Sequence, residues 1–321
     1  MQLGTHTLPV GAILAPMAGV TDHAFRAVCA SLGAAATVTE MVSAKALRYQ
    51  DRKSASLLRR NEGVICGAQI FGSEPEIMAR GAALALEHSH CDFIDLNMGC
   101  PMPKIVNNGE GSSLLKDIDL AGRIIRAVVD AVPVPVTVKT RKGWDKSHIT
   151  VVELAKAAED NGAAAIAVHG RTKTMLYSGT ADWDIIAEVK RAVKIPVIAN
   201  GDVLSAESAL RCRNRTGADA VMVGRASFGD PWLFAEIRAA LAGEPIPARP
   251  PLRVRMETAA RQMELACADK GEHIACLEAR KHLAWYLRGV AYSNYYKQQI
   301  SAIQTMDDVR RVIAGIQRDL S

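Results

Sequence analysis

The chain has no apolar run approaching the roughly 20 residues a membrane-spanning helix needs, so no membrane association is expected. Its first residues, MQLGTHTLPVG, show neither a basic n-region nor an apolar h-region, and a cytoplasmic location is the expectation. Seven cysteines (29, 66, 91, 100, 212, 267 and 276) include no CxxC or CxxxC spacing. That lack argues against a disulfide framework and against an iron-sulfur or zinc site, leaving reduced thiols. The nearest approach to a metal cluster is EHSHCD, with His88, His90 and Cys91, and it reads as a solvated helix end. No metal is expected. No GxGxxG follows the first strand, which argues against a doubly wound dinucleotide fold. Low-complexity segments and short repeats are absent too.

What is present is a chain of 321 residues, 49% hydrophobic, long enough for one barrel-sized domain and a smaller one. Short β-branched or apolar runs alternate with longer amphipathic ones to about residue 241, the signature of a parallel sheet with crossover helices. The strands are GAILAPM (11–17), ATVTE (36–40), ICGAQI (65–70), FIDLN (93–97), VPVTVK (134–139), AAIAVH (164–169), IPVIAN (195–200) and DAVMVG (219–224). Between them lie helical stretches such as EPEIMARGAALALEH and DIDLAGRIIRAVVDAV. Eight such units fit a (β/α)8 TIM barrel over residues 1–243, with its site at the C-terminal strand ends.

The Pro-rich stretch GEPIPARPP (243–251) cannot continue a helix and marks a boundary. Beyond it four helical patterns predict a small all-α bundle over residues 250–321. The net charge of +5 is concentrated there, since residues 249–321 hold twelve Lys and Arg against eight Asp and Glu. This bias is compatible with a polyanionic partner.

The strand bodies are apolar, yet they end in Pro16-Met17, Glu40, Gln69, Asn97, Lys139, His169, Asn200-Gly201-Asp202 and Gly224-Arg225. The last two loops, IANGDV and VGRAS, occupy the place where barrels often hold a phosphate, with glycines for close backbone approach and Arg225 for a charge-assisted contact. Lys139 supplies a cation in the barrel mouth, and Gln69 offers the donor and acceptor that read an amide-like ring edge. Together they suggest a phosphorylated heterocycle. One strand runs directly into a Gly-Cys-Pro corner at 99–101, followed by a loop rich in Asn, Gly and Lys. A strand that merely turned would not need Cys100 there.

APMAGVTD (15–22), Gln69 in AQIFGS, DLNMGCP (95–101), VKTRKGW (138–144), VHGRT (168–172), IANGD (198–202) and VGRAS (223–227) occur in an order that resembles the tRNA-dihydrouridine synthases. ARKHLAWYL (279–287) is similar to the helical segment of the bacterial B-type. The resemblance covers essentially the whole chain. It implies a flavin enzyme that reduces the 5,6-double bond of uridine in the D-loop of tRNA, with FMN as cofactor and NADPH or NADH as reductant visiting the same flavin face. Residues 1–243 would then be the FMN-binding catalytic domain and residues 250–321 a tRNA-binding one.

The resemblance also implies roles for residues. Pro16, Met17 and Ala18 would lie against the flavin ring, Gln69 and Lys139 would bond its pyrimidine edge, and Asn200, Gly201, Asp202, Gly224 and Arg225 would hold the FMN phosphate. His169, Arg171 and Asn97 would lie near the flavin and the incoming uridine. Cys100 would protonate the carbon next to the one receiving hydride, since a thiol stays protonated near neutral pH. The polar loop after it would order once RNA arrives. From the charge of the tail, Arg280 and Lys281, with His282 and Arg288 on adjoining turns, are expected to grip tRNA phosphates. The basic stretch 48–60, with Arg52, Lys53 and Arg59, is a further phosphate candidate or a plain solvated helix. In one respect the chain departs from the family, for Asn107, Asn108 and Glu110 follow the Gly-Cys-Pro where basic residues are usual. An alternative enzymatic reading is an FMN barrel acting on a free pyrimidine, as dihydroorotate dehydrogenases do. A third is an RNA-binding protein on an inactive barrel.

Overall fold

A computed structural model describes residues 1–49 and 51–320, with the side chains of Arg52 and Lys53 outside that description. Eight parallel strands close on themselves: β1 (Ala12–Leu14), β2 (Ala36–Val38), β3 (Ile65–Phe71), β4 (Phe93–Met98), β5 (Val136–Asp145), β6 (Ala165–Thr172), β7 (Val197–Asn200) and β8 (Ala220–Val223). Each pairs with its sequence neighbour, and β8 returns to β1. The expected barrel is therefore present. Strand alternation divides its side chains into two sets. Ile94, Val138, Val168 and Val221 point out into the core beneath the helices, while Ile13, Ala36, Phe93, Ala167, Ile198 and Met222 fill the interior. Leu3 and Leu8, on and beside an N-terminal hairpin (Gln2–Leu3 with His6–Thr7), pack into that interior cluster.

The helices covering the barrel are α1 (His23–Ser31), α2 (Pro75–Ser89), α3 (Ile118–Ala131), α4 (Val151–Asp160), α5 (Trp183–Ala192), α6 (Ala206–Thr216) and α7 (Leu233–Ala242). Side-chain oxygens of Asp22, Asp117 and Asp182 accept from the first turns of α1, α3 and α5, satisfying donors that have no partner within the helix. At the end of α2 His90 takes a left-handed backbone conformation, and Cys91 beside it is buried. One feature was not anticipated: β5 runs on to Asp145 and folds back against His148–Ile149. Short helices (Ala44–Arg48 and Arg52–Leu57) follow β2, the second within the stretch 48–60 that also reads as a solvated helix. No helix among the described residues is long and apolar enough to cross a membrane.

After the Pro-rich stretch come α8 (Leu252–Lys270), α9 (Glu272–Tyr286), α10 (Asn294–Ser301) and α11 (Met306–Leu320), which share a core including Met256, Leu283, Tyr286, Ile300 and Val309. This bundle is fastened to the barrel. Ala24 of α1 packs on Ala266 and Ala275, Lys270 pairs with Asp22 at 2.6 Å, and Arg59 pairs with Asp269 at 2.7 Å. Trp285 of α9 stacks on Phe228 with ring centroids 4.3 Å apart.

Candidate active site

The inward faces of the strands change character along their length. Apolar in the lower barrel, they turn polar at the C-terminal end, where Gln69, Asn97, Lys139, His169 and Asn200 converge on a cavity of about 520 Å³. Pro16, Met17, Ala18, Cys100, Gly201, Asp202, Gly224 and Arg225 line the same cavity. The structure thus gathers nearly all the residues singled out from the sequence. Arg171, Arg280 and Lys281 are not among its walls.

Cys100 sits on a corner held by its neighbours. The Asn97 Oδ1 accepts from the backbone N–H groups of Gly99 at 3.2 Å and Cys100 at 2.9 Å. Ser112 N–H donates to the Cys100 carbonyl at 3.0 Å. The loop behind it is a short helix (Pro103–Val106) and a 3-10 turn (Gly111–Lys116), with Ile105, Leu114 and Leu115 buried. Leu114 and Leu115 anchor this loop in the main core. Burial pushes the Cys100 thiol up from its ordinary value, against the opposing pull of the Met102 N–H, Arg141 and Lys139. Glu110, half-buried, is likewise held up by burial, with Lys45 opposing.

The cations are crowded. Burial, with Arg141 nearby, pulls Lys139 down to about 8. Burial and the charges of Lys139, Arg141, Arg171 and Arg225 push His169 down to about 2, so its imidazole is neutral at any physiological pH. Arg225 is exposed, with its guanidinium 4.5 Å from the ring centre of Tyr177.

Two residues that sequence reasoning passed over organise the rest. Arg141, next inward after Lys139 on β5, is 3% exposed. It donates to the carbonyls of Gly99, Thr172 and Leu176 at 3.0, 2.9 and 2.7 Å, joining the cysteine corner to the loop after β6. Asp95, two residues before Asn97, is 3% exposed and accepts from Gln69 Nε2 at 2.6 Å and Thr137 Oγ1 at 2.5 Å. Burial raises its carboxyl to about 6. The available signal was the period-two alternation of FIDLN, which turns Phe93, Asp95 and Asn97 inward.

Arg171 lies behind the cavity wall, its guanidinium committed to protein partners and 3.5 Å from His169 Nε2. At 2% exposure it holds Asp202 and the carbonyls of Ser178 and Gly179. The Asp202 carboxylate also accepts from Ala181 N–H at 2.7 Å, so its side chain is committed to the protein. Arg280 donates from Nε and Nη2 to the Ile303 carbonyl at 3.0 and 2.7 Å. Lys281 reaches across to the Gly19 carbonyl, and His282 is buried against Gln262. Of this quartet only Arg288 is exposed.

The glycines at the seventh and eighth strand ends differ, the first closely packed and the second open. Gly201 has φ +109, and a Cβ there would meet Ala181 and His169 atoms at 2.7 Å, so only glycine fits. At Gly224 an added Cβ would meet nothing nearer than the Met17 sulfur at 3.4 Å. Its bare face is not demanded by the protein's own packing.

Comparison with known proteins agrees with this geometry. The family model described as dihydrouridine synthase (Dus) matches residues 13–319. The chain belongs to the dihydrouridine synthase family. It is 43% identical over 309 residues to tRNA-dihydrouridine synthase B of Pseudomonas aeruginosa, covering 96% of this chain and 92% of that one. With tRNA-dihydrouridine synthase B of Vibrio cholerae it shares 40% identity over 317 residues, 98% of each chain. In fold it resembles an old yellow enzyme homologue from Zymomonas mobilis, with a TM-score of 0.54 and 12% identity over 77% of this chain and 92% of that one. Asp95 and Arg141 have to be understood from their contacts.

Proposed function

We propose that this chain reduces the 5,6-double bond of uridine in the D-loop of tRNA as a flavin-dependent tRNA-dihydrouridine synthase, with FMN in the barrel mouth and NADPH or NADH as reductant. The observation that carries the reading is the Cys100 thiol on a corner pinned by Asn97, opening onto a cavity lined by Lys139, Arg141 and Arg225. The residues fit an FMN. The cavity volume lies within the range of roughly 300 to 1,000 Å³ usual for ligand sites, the bare Gly224 face and Arg225 suit its phosphate, and Lys139 and Arg141 favour negative charge beside them.

Pro16, Met17 and Ala18 lie against the ring in this reading, Gln69 and Lys139 read its pyrimidine edge, and the backbone of 200–202 and 224–225 takes the phosphate. His169, neutral, offers a hydrogen bond without adding charge. The flavin, when bound, supplies the hydride that reaches one carbon of the uracil double bond. Cys100 gives its proton to the neighbouring carbon: the S–H bond breaks, a C–H bond forms and a thiolate remains. Burial keeps the thiol protonated beforehand, and Lys139 and Arg141 stabilise the thiolate afterwards. Asn97 fixes the corner and stands beside the base. Arg171 acts by holding the loop after β6 and Asp202.

The bundle of residues 250–321 takes the tRNA in this proposal, with Lys281 near the end of α9 and the exposed Arg288 just beyond it facing phosphates and Arg280 supporting from behind. The test incubates purified protein with unmodified tRNA and NADPH, weighs the released flavin and analyses nucleosides by mass. Expected are FMN and a uridine that gains two hydrogens. NADPH consumption with a free pyrimidine in place of tRNA would instead support the dihydroorotate-dehydrogenase-like reading.

A further inference from the structure

We infer that Asp95 is a positioning residue for this reaction, because it fixes the polarity of a buried amide relay, Gln69 and then Asn97, that holds the backbone of Cys100. The inference rests on the reading of Cys100 as the acid.

The register makes the relay possible. Gln69 and Thr137 are the lateral partners of Asp95 on β3 and β5, and Asn97 lies one inward step further along β4. An ionised carboxylate can only accept hydrogen bonds. Gln69 must therefore turn its NH2 toward Asp95, which aims its Oε1 at Asn97. Asn97 Nδ2 donates to that oxygen at 2.8 Å. Its own Oδ1 is then left for the N–H groups of Gly99 and Cys100. Each amide has one orientation consistent with its neighbours. Reverse the first, and Asn97 presents an NH2 to two N–H donors, which cannot bond.

Packing alone gives no reason for a carboxylate at this depth, since the layer below is filled by Phe93 and Ala167. The groups facing Asp95 are Gln69 from β3 and Thr137 and Lys139 from β5, of which only Lys139 is charged. Burial brings the carboxyl to about 6, so the acceptor-only form predominates at neutral pH and is lost as pH falls through that value.

The test compares Asp95→Asn, Cys100→Ala and the double exchange Asp95→Asn with Asn97→Asp. In the double exchange the relay runs backwards. The amide introduced at position 95 donates to the Gln69 oxygen, and the Gln69 NH2 donates to the carboxylate introduced at position 97. That carboxylate still accepts from the N–H groups of Gly99 and Cys100. In Asp95→Asn the pre-reduced flavin should be reoxidised by tRNA about 10- to 100-fold more slowly, the scale of a small misplacement, while its reduction by NADPH changes by a smaller factor. Wild-type reoxidation should rise with pH through about 6, and this limb should be missing in Asp95→Asn. In flavin-free protein, iodoacetamide labelling of Cys100 should accelerate several-fold in Asp95→Asn and return toward wild type in the double exchange. Should Asp95→Asn fail to fold or hold flavin, restoration of both by the double exchange supports the relay. Wild-type reoxidation in Asp95→Asn, or no recovery in the double exchange, overturns it. Cys100→Ala separates the two readings: a wild-type rate there removes the acid itself, whereas a slow Cys100→Ala beside a wild-type Asp95→Asn removes only the relay.

Discussion

Arg171 and Asp202 clasp each other through two contacts, Nη1 to Oδ1 at 2.8 Å and Nη2 to Oδ2 at 2.9 Å, while the same guanidinium holds the Ser178 and Gly179 carbonyls. One buried fork thus ties the loop after β6 to the loop after β7.

Arg171→Ala should destabilise the fold by roughly 2 to 4 kcal/mol, discounted from a fully buried pair because Asp202 is partly exposed. Burial alone would raise the Asp202 carboxyl, but Arg171 and the Ala181 N–H hold it below its ordinary value. Its contribution is therefore complete above the unfolded value of about 3.9 and lost as pH falls through the lower folded one. Thermal melts should show a wild-type advantage at pH 7 that shrinks near pH 3. Arg171→Lys should recover little, because an ammonium lacks the fork.

Cys100→Ala should bind FMN, accept hydride from NADPH and bind tRNA, yet fail to return its electrons to tRNA. The loss of one positioned acid costs about 100- to 10,000-fold, which anaerobic single-turnover mixing of pre-reduced protein with tRNA can read. Because burial holds the thiol above its ordinary value, the wild-type rate should not fall on this account within the ordinary titration range of a free thiol. A purely structural cysteine would show itself as lost stability or flavin.

Arg225→Ala should weaken FMN binding by about 1.5 to 3 kcal/mol, the worth of a hydrogen bond to a charged group. Flavin released on dilution, followed by fluorescence, measures it. Tyr177→Phe keeps the ring beneath the guanidinium and should leave the affinity close to wild type.

The tail should respond residue by residue. Arg280→Ala removes two donors from the Ile303 carbonyl and should lower the melting temperature while leaving the salt dependence of tRNA binding unchanged. Arg288→Ala should do the reverse, flattening the slope of log affinity against log salt by about one unit. Unchanged affinity and slope in Arg288→Ala would move the phosphate path off this face.

The barrel and the bundle were legible in the sequence because both depend on periodicity. Strands such as IPVIAN carry the β signal within a few residues, and the tail patterns overlie α8, α10 and α11 closely, while α9 starts and stops earlier than its pattern CLEARKHLAWYLRGVA (276–291). The cavity walls were legible for a related reason, since a polar residue closing an apolar strand stands out. What escaped was whatever depends on a partner distant in sequence. Nothing local to VKTRKGW says that Arg141 ends on three carbonyls, all of them more than thirty residues away. Arg280 looked like surface charge for the same reason, because a carbonyl at Ile303 leaves no mark on composition. Asp95 was visible as an inward residue, but reading only the strand ends passed over it.

The stack of Trp285 on Phe228 has a consequence for engineering, because Phe228 also faces the cavity. The bundle is thereby part of the wall behind the reaction chamber. Grafting a tail from a relative to redirect the enzyme to another nucleotide would also reshape that wall. A chimera would need to carry both rings as a unit, with the junction placed upstream of Phe228, well before the Pro-rich stretch that looks like the natural seam.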